Sequence, residues 1–355
     1  MQPTLKIRSI AKRTIHAAVE ARYHAMHKKH AQQVLHNIEL DQGKLPPSLK
    51  AQCDHYAQQR LGHRKYAPWL YVYAAMQGTF KDGWLPCNYY GHAIVRDIDQ
   101  GYGTISDLKP LTNRLLLSNQ LPDLLYVNNG YLIEPNNYHI VSNARATQLL
   151  FDENSQVIFK PNASIQGKGV RLYSQAQWAQ ARPVSNGVVQ KIIQQHDFFD
   201  ALFPHPGATL RITTGLDATG QASVRAAYLR LGRSQHNSAT HVQSNSAVRI
   251  AVDLHSGALA NTGYLANWRS CERHPDSHAG FQGQVIPVFA QACRTVEQLH
   301  NRYPFVLTIG WDVSINQQAQ VEIMEWNTAH NDIKFSEASQ GPCFKDILDL
   351  SLQRP

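Results

Sequence analysis

The stretch 309–327 constrains the fold most, because two apolar runs lie there on either side of a short polar segment. Residues 308–315 and 320–326 are rich in aliphatic and aromatic side chains, which predicts two β-strands. The polar residues 316–319 between them are long enough for a turn and too few for a helix. The pattern therefore predicts an antiparallel hairpin at this position.

Acidic and amide side chains interrupt both predicted strands. Asp312 lies among apolar neighbours in the first strand, and Glu325 and Asn327 are two positions apart in the second, so they share one face. Carboxylate and amide oxygens are the ligands that Mg²⁺ prefers, which makes these three residues candidate metal ligands. The alternative is that Asp312 and Glu325 lie on a solvated face of the sheet.

Strand-like runs alternate with helical segments from residue 150 onward, which indicates an α+β fold with hairpins rather than a regular βαβ arrangement. Val285–Arg302 is a predicted helix with one apolar face. The further predicted strands are 157–160, 170–173, 188–193, 209–214, 223–231 and 247–253. Earlier in the chain, Asn128-Asn129-Gly130 between apolar pairs predicts a hairpin turn.

A lysine and a glycine-rich loop follow one another in residues 157–170. The predicted strand ends at Lys160, and the loop contains Gly167, Lys168 and Gly169. Glycines let the backbone approach a phosphate closely, and the two lysines would supply countercharge. The spacing fits neither a Walker motif nor a dinucleotide fingerprint. An ordinary hairpin turn with an exposed lysine is the alternative.

The N-terminal region is predicted to be helical over 9–40, 48–61 and 66–80, with a shorter helix at 111–119. In the first helix an apolar face runs from Ile15 and Val19 through Met26 to Val34 and Ile38, and it is expected to pack on a neighbouring lobe. Docking of this basic helix on a membrane surface is the alternative. The i, i+3 spacing of His24, His27 and His30 permits a metal site, although packing or solvent-facing histidines are the expectation.

Composition narrows the function classes. The formal net charge of +8 favours anionic partners, but no dense basic block or zinc pattern supports nucleic acid as the substrate. No apolar run approaches the length of a membrane span, and the N-terminus lacks the pattern of a secretory signal. Five cysteines without metal-ligand spacing indicate reduced thiols, so the expected location is the cytoplasm. Cys343 is interpreted as structural.

Lys160 with its loop, together with Asp312 and the sequence Glu325-Trp326-Asn327, resembles the ATP-grasp superfamily. The intervening segments 189–196 and 209–213 are similar to its sugar-transfer-associated branch. The resemblance implies an α+β ATP-grasp fold in which the nucleotide lies between two α+β lobes, preceded by a helical N-terminal region. It implies boundaries at 1–65 (helical region), 66–150 (mixed lobe), 151–195 (small lobe) and 196–355 (metal-bearing lobe).

The resemblance also assigns site residues by position. Lys160 is expected to contact the α- and β-phosphates, and Arg211 the γ-phosphate or the acyl-phosphate transition state. Asp312, Glu325 and Asn327 are expected to hold Mg²⁺, with Mn²⁺ as an alternative. The remaining nucleotide contacts are Arg114, the loop residues Ser164, Gln166, Gly167, Lys168 and Gly169, and the adenine-contacting segment Gln190, Lys191 and Ile192.

Two positions depart from the family pattern. Many members have an acidic residue where this chain has Gln190-Lys191, and several carry an arginine at the position of Gly310, two residues before the metal aspartate. The transition-state role therefore depends on Arg211, for which a surface ion pair is the alternative.

The activity implied is ATP- and Mg²⁺-dependent joining of a carboxylate to an amine, in surface polysaccharide or amino-acid conjugate biosynthesis. Its substrates would be small molecules, with sugar-linked ones included. A phosphotransferase acting on a sugar or another hydroxyl and a non-catalytic nucleotide-binding protein are the alternatives.

Overall fold

A computed structural model describes residues 3–162, 169–204, 208–234 and 247–353, with side chains from residue 15 onward. The chain forms two compact units. The first contains Met1–Ile94 and Ile333–Lys345, and the second contains Val95–Asp332 and Asp346–Pro355. No helix in the described ranges combines the length and apolarity that crossing a bilayer requires.

The first unit is built from helices, and the three helices predicted at its start are confirmed with small shifts of their ends. Pro47 opens the second helix at a position where its missing N–H costs no hydrogen bond. Gly78, with φ of 66°, ends the third in the left-handed conformation that glycine accepts. The helices are α1 Pro3–Gln42, α2 Pro47–Gln59, α3 Ala67–Gln77, α4 Cys87–Tyr89 and α10 Lys334–Gln340, with a 3₁₀ turn at Arg64–Tyr66 and a π-helix at Tyr90–Asp99.

The predicted packing face of α1 is wrong over the first part of the described side chains. Ile15, Val19 and Met26 are exposed, whereas Val34 and Ile38 are buried as expected. The stripe that is buried passes through His24 and Ala31 to Val34 and Ile38 at spacings of three, four and seven. Hydrophobicity alone predicted that Met26 would lie on this stripe. In the structure the rings of His24, His27 and His30 contact the aromatic rings of Tyr66 and Trp69 instead.

The three histidines of α1 with i, i+3 spacing, His24, His27 and His30, do not converge on one point. His27 Nδ1 accepts a hydrogen bond from Trp69 Nε1 at 3.0 Å, and the ring of His30 packs edge-on against the same tryptophan. His24 instead lies with Glu20 and His92, whose ligand atoms are within 4.8 Å of one another. Lys65 donates to Glu20 at 2.7 Å, and this bond lowers the pKa of Glu20 to about 2. The cluster is thus already balanced by an ammonium group.

The second unit combines two antiparallel sheets with helices, and the eight strands predicted beyond residue 150 are all present. Its helices are α5 Thr112–Leu116, α6 Asn143–Phe151, α7 Gln175–Gln180, α8 Asp197–Leu202, α9 Phe289–Arg302 and α11 Lys345–Gln353. Its strands are β1 Asp123–Asn128, β2 Tyr131–Ile133, β3 Gln156–Pro161, β4 Arg171–Ser174, β5 Gly187–Lys191, β6 Thr209–Leu216, β7 Ala222–Leu231, β8 Val248–Val252, β9 Leu259–Tyr264, β10 Ser270–Cys271, β11 Thr308–Ile315 and β12 Val321–Asn327. Two 3₁₀ segments, Gln100–Asp107 and Lys109–Leu111, precede α5.

The smaller sheet has five strands in the order β2-β1-β5-β3-β4. The predicted turn between β1 and β2 is confirmed, since Asn129 and Gly130 have φ of 51° and 81° and Asn128 pairs with Tyr131. The sheet includes strands from both sides of residue 150, where the sequence suggested a lobe boundary. It places Lys160, near the end of β3, beside Val188 of β5.

The larger sheet has seven strands in the order β10-β9-β8-β7-β6-β11-β12. One face is apolar and packs on α9: its core contains Ile212 of β6, Leu229 of β7 and Trp311 of β11 together with Val296 of the helix. Side chains alternate between the faces of a strand, so the intervening residues point to the opposite face. That opposite face therefore carries the polar residues of β6, β7, β8, β11 and β12.

Two predicted helices are shorter than expected because a residue with positive φ limits each. The helix predicted at Val285–Arg302 begins at Phe289, since Val288 has φ of 46°. The helix predicted at 111–119 ends at Leu116, since Leu117 has φ of 49°. Neither valine nor leucine signals a left-handed backbone, so the sequence gives no warning at these positions.

A buried histidine links α9 to the larger sheet. His300 Nε2 donates to the carbonyl of Val306 at 3.1 Å, which leaves Nδ1 to accept from the hydroxyl of Thr214 at 2.7 Å. Trp311 Nε1 donates in turn to the Thr214 hydroxyl oxygen at 2.9 Å. Burial lowers the pKa of His300 to about 4, so the ring stays neutral in the folded protein at neutral pH.

We expect His300 to make the protein less stable as the pH falls. Above pH 6.5, the ordinary pKa of histidine, His300 is uncharged in both the folded and the unfolded protein. Between pH 6.5 and about pH 4, only the unfolded protein binds a proton at this residue. The free energy of unfolding should drop by about 3 kcal/mol over this range from this group alone. Urea unfolding at pH 7 and pH 4.5 measures the drop, and His300→Gln should reduce it, whereas His255→Gln at an exposed histidine should not. An equal pH dependence in wild type and His300→Gln would contradict this account.

Candidate functional site

Most of the predicted site residues in the described ranges come together in the second unit, where the two sheets meet. On the polar face of the larger sheet, Asp312 of β11 pairs with Arg211 of β6 on one side and with Glu325 of β12 on the other. Asn327 pairs with Gly310 in the same ladder. The strand register alone therefore brings these side chains, which are far apart in sequence, into one row.

Two arginines share the carboxylate of Asp312. Arg211 donates from Nε to Oδ1 at 2.6 Å and from Nη2 to Oδ2 at 3.1 Å, and Arg230 of β7 donates from Nη2 to Oδ1 at 2.6 Å. All three side chains are largely buried. Burial alone would raise the pKa of Asp312, but the two guanidinium groups hold it well below its usual range. Asp312 is thus a permanent anion at the centre of the row.

This pairing limits how Asp312 can bind a metal ion. A carboxylate offers about four lone-pair sites, and the three hydrogen bonds from Arg211 and Arg230 use most of them. Asp312 could bind a metal ion in two ways. Either one arginine moves away from the carboxylate, or the metal ion is bound through the one lone pair that remains on Oδ2. Arg211 also donates from Nη1 to the carbonyl of Asn331 at 3.2 Å, so one N–H on each terminal nitrogen remains for a further acceptor.

Gly310 leaves room for the Arg211 side chain. A Cβ at this position would lie 2.6 Å from the Asn331 Cβ and 3.0 Å from Arg211 Nη1. The family arginine that is absent at residue 310 could therefore not fit beside Arg211. The guanidinium group approaches Asp312 from the adjacent strand β6 instead of from β11 itself.

Glu325 and Asn327 present oxygen atoms to the same region. Asn327 donates from Nδ2 to the Gly310 carbonyl at 3.2 Å, so its Oδ1 points away from the strand pair. Glu325 is one-third exposed, with a side-chain exposure of 33%, and its Oε1 accepts a short hydrogen bond from the ammonium of Lys109. These two oxygens are more accessible than those of Asp312 and fit a hard divalent cation.

Lys160 extends from the smaller sheet to the edge strand of the larger one. Its ammonium lies 3.4 Å from the Met324 carbonyl on β12. Burial lowers the pKa of Lys160, and the nearby carboxylates of Glu325 and Asp123 act against that shift. A cavity of about 20 Å³, large enough for one water molecule, lies beside Lys109, Asp123 and Glu325.

The segment predicted to contact adenine is partly committed to other bonds. Gln190 lies in the sheet, and its side chain donates to Asp123 Oδ1 at 2.7 Å. The backbone N–H of Lys191 donates to Pro122 at 2.9 Å, while its ammonium pairs with Glu322 at 2.7 Å. Ile192 follows the last residue of β5 and is outside the ladder.

Arg114 does not join this group in the described structure. It is exposed on α5, and its guanidinium lies 5.5 Å from the centre of the Tyr138 ring. The loop residues Ser164, Gln166, Gly167 and Lys168 lie outside the described residues. Gly169 is described and has φ of 84°, a conformation that favours glycine.

Sequence reasoning missed four residues of this site. Lys109, Asp123, Arg230 and Glu322 all face the predicted residues, and three of them form ion pairs there. Arg230 could have been found from the alternation of β7, which puts it on the face opposite Leu229 and Leu231. Lys109 belongs to an irregular 3₁₀ segment and carries no periodic signal.

Comparison with known proteins gives one family match. Residues 174–349 match the model of the family described as sugar-transfer associated ATP-grasp, which confirms the predicted resemblance over these residues. No curated protein matches the chain.

Several solved structures are similar at low identity. A D-alanine-D-alanine ligase from Coxiella burnetii has 10% identity and a TM-score of 0.40 over 72% of this chain and 59% of its own. An N5-carboxyaminoimidazole synthetase from Staphylococcus aureus has 12% identity and a TM-score of 0.41 over 72% and 54%. A biotin carboxylase from Campylobacter jejuni has 10% identity and a TM-score of 0.43 over 92% and 69%. The chain therefore spans only 59% and 54% of the length of the first two.

We expect Asp312→Asn to destabilise the second unit strongly, because two buried guanidinium groups would lose their anion. Removing one partner of a buried ion pair costs about 3–5 kcal/mol, and urea unfolding measures it. The matched control is Asp346→Asn, which breaks a pair between Arg225 and a carboxylate that is 39% exposed and should cost about 1 kcal/mol or less. Equal effects of the two substitutions would show that Asp312 does not carry the stability assigned to it.

Proposed function

We propose that this chain, whose residues 174–349 match an ATP-grasp family model, is a ligase that joins a carboxylate to an amine with ATP as the energy source. The observation that carries this proposal is the row of charged residues on one sheet face. In that row Arg211 and Asp312 lie beside the oxygen donors Glu325 and Asn327, and the ammonium groups of Lys109 and Lys160 reach β12 from outside the sheet. Such a set binds a polyphosphate and a hard cation together.

The nucleotide would lie between the two sheets of the second unit. We propose that Lys160 and Lys109 contact its phosphates and that Ser164, Gln166, Gly167, Lys168 and Gly169 cover them, as the family resemblance implies. Gln190, Lys191 and Ile192 would line the adenine side, with the backbone of Ile192 as the contact that β5 leaves available. Arg114 is not included, since it stacks on Tyr138 at the surface.

The residues present fit a magnesium ion when Glu325 and Asn327 are its main ligands. Mg²⁺ takes oxygen ligands and would supply charge neutralisation of the phosphate oxygens. Mn²⁺, which suits the same oxygen donors, is the alternative. Lys109 now pairs with Glu325, so we propose that Lys109 turns to the phosphates while Glu325 turns to the cation. Asp312 would hold Arg211 and Arg230 in place and contribute its remaining lone pair.

We propose the following reaction at these positions. An oxygen of the substrate carboxylate attacks the γ-phosphorus, the bond from that phosphorus to the bridging oxygen breaks, and ADP leaves. The amine nitrogen then attacks the acyl carbon, phosphate leaves, and the nitrogen loses a proton. Arg211 keeps an N–H on each terminal nitrogen after binding Asp312 and Asn331, and we propose that these groups stabilise the charge on the transferring phosphoryl group.

Two rival functions make different products. A kinase would release ADP and leave a phosphorylated hydroxyl, and a non-catalytic nucleotide-binding protein would release nothing. A screen of amino acids and uronic acids for release of both ADP and phosphate separates the three. Sugar-linked acids belong in the screen because the matched family is described by its association with sugar transfer.

The five cysteines form no disulfide, which agrees with a cytoplasmic setting.

We expect Lys160→Ala to weaken nucleotide binding without lowering stability. Among the described residues its part-buried ammonium makes a long contact of 3.4 Å to a carbonyl, and desolvation is the largest influence on its pKa. Its removal should therefore cost little stability, whereas a bound phosphate would lose a close countercharge. Calorimetry should show affinity for Mg–ADP reduced about tenfold or more, which corresponds to one lost charge-assisted hydrogen bond.

The control is Lys44→Ala, at a lysine that is 79% exposed in the first unit and should affect neither quantity. A melting temperature that collapses in Lys160→Ala, with affinity retained in the folded fraction, would make Lys160 a structural residue and remove it from the site.

A further inference from the structure

Three apolar side chains of α1 face solvent along one line of the helix. Ile15, Val19 and Met26 have exposed fractions of 65%, 63% and 61%. Their spacings of four and seven place them within about 40° of one another around the helix axis. Arg22 and Lys29, which are also exposed, continue this line at positions seven residues after Ile15 and Arg22. These five residues are called the outer stripe of α1.

The outer stripe lies on the side of α1 that the first unit does not cover. His24, Ala31 and Val34 are buried and belong to the opposite side of the helix. Glu20 belongs to that packing side as well, and its carboxylate accepts from the ammonium of Lys65 at 2.7 Å. The outer stripe itself contains no acidic residue, so it presents apolar and cationic groups together.

Most of the formal positive charge of the chain is concentrated in the same helix. Residues 1–36 contain seven lysines and arginines and a single acidic residue, which gives +6 of the +8 of the whole chain. Residues 37–355 carry only +2. A helix with this charge attracts an anionic surface and repels another copy of itself.

The mixture of apolar and basic side chains on the stripe distinguishes three kinds of partner. A second copy of this chain would set Arg22 and Lys29 against equal charges. A nucleic acid would bind the charges through its phosphates, but its backbone offers no apolar layer. A bilayer with anionic lipids offers both, because apolar side chains enter the boundary of the acyl chains while long basic side chains reach the headgroups.

We propose that the outer stripe of α1 binds the surface of a bilayer that contains anionic lipids. Ile15 and Met26 are about 17 Å apart along the axis, so a helix that inserts both lies parallel to the surface. Three apolar side chains and a few charges each contribute modestly, and binding therefore requires both kinds of contact. The inference does not depend on the proposed ligase reaction, whose residues belong to the second unit.

Co-sedimentation of the full chain with vesicles tests the proposal. Vesicles of phosphatidylcholine alone are compared with vesicles that also contain phosphatidylserine. The anionic vesicles should bind the protein about tenfold or more tightly, because each basic residue near an anionic surface adds to the attraction. High salt should weaken this binding, since the charges involved are exposed.

The apolar part of the stripe is removed in the double variant Val19→Ser, Met26→Ser. Its affinity for anionic vesicles should fall about tenfold or more, because two side chains no longer leave water on binding. The matched control is Val184→Ser, Val285→Ser, at valines of the second unit with exposed fractions of 92% and 51%. The control should bind as the wild type does.

The charged part is removed in the double variant Arg22→Gln, Lys29→Gln, which should also lose about tenfold or more in affinity. The matched control is Arg182→Gln, Arg294→Gln, at exposed arginines of the second unit. Both variants lower the net charge by the same amount. A difference between them therefore reports the position of the charges on α1.

Three results would overturn the proposal. One is equal binding to both kinds of vesicle, or binding that either stripe variant retains. Another is a wild-type dimer without lipid affinity that Val19→Ser, Met26→Ser converts to a monomer, which would make the stripe an interface between copies. The third is binding to duplex DNA but not to vesicles. If a double variant loses the helical circular dichroism of the wild type, Ile15→Ser and Lys29→Gln as single variants carry the test.

Discussion

The carboxylate of Asp312, shared by Arg211 and Arg230, is the interaction on which the polar face of the larger sheet depends. It connects β11, β6 and β7 side by side and neutralises part of a positive charge that the sheet would otherwise bury. The same bond fixes the direction of the Arg211 guanidinium. An arginine held in this way pays little entropy when it meets a phosphoryl group. Gly310 makes this arrangement possible, because a side chain there would displace Arg211.

A second set of contacts joins β12 of the larger sheet to the smaller sheet and to the 3₁₀ segment that carries Lys109. Lys160 reaches the Met324 carbonyl, Lys191 pairs with Glu322, and Lys109 pairs with Glu325. All three place a lysine against the edge strand β12. Ion pairs of this kind can exchange partners when a polyphosphate arrives, since phosphate oxygens compete for the same ammonium groups and a divalent cation competes for the carboxylates. The proposed nucleotide site is thus a place where existing charges change partners.

Local patterns allowed much of this fold to be predicted from sequence. The Asn129-Gly130 turn, the eight later strands and the hairpin carrying Asp312 and Glu325 follow from alternation and turn residues over short stretches. The partners of Asp312 did not follow, because Arg230 and Arg211 are separated from it by more than eighty residues and meet it only through strand order. Lys109 could not be recognised within an irregular segment. The exposed Ile15 and Val19 on α1 show the same limit, since periodicity marks an apolar face but not what covers it.

The fate of the substrate oxygen tests the proposed chemistry most directly. An acid that stimulates ADP release would be labelled with ¹⁸O in its carboxylate, and the inorganic phosphate formed would be analysed by mass spectrometry or ³¹P NMR. Attack of the carboxylate on the γ-phosphorus predicts that each phosphate released carries one oxygen from the acid. Unlabelled phosphate, or a phosphoryl group that stays on a hydroxyl of the acceptor, would contradict a ligase that activates a carboxylate at the row of Arg211 and Asp312.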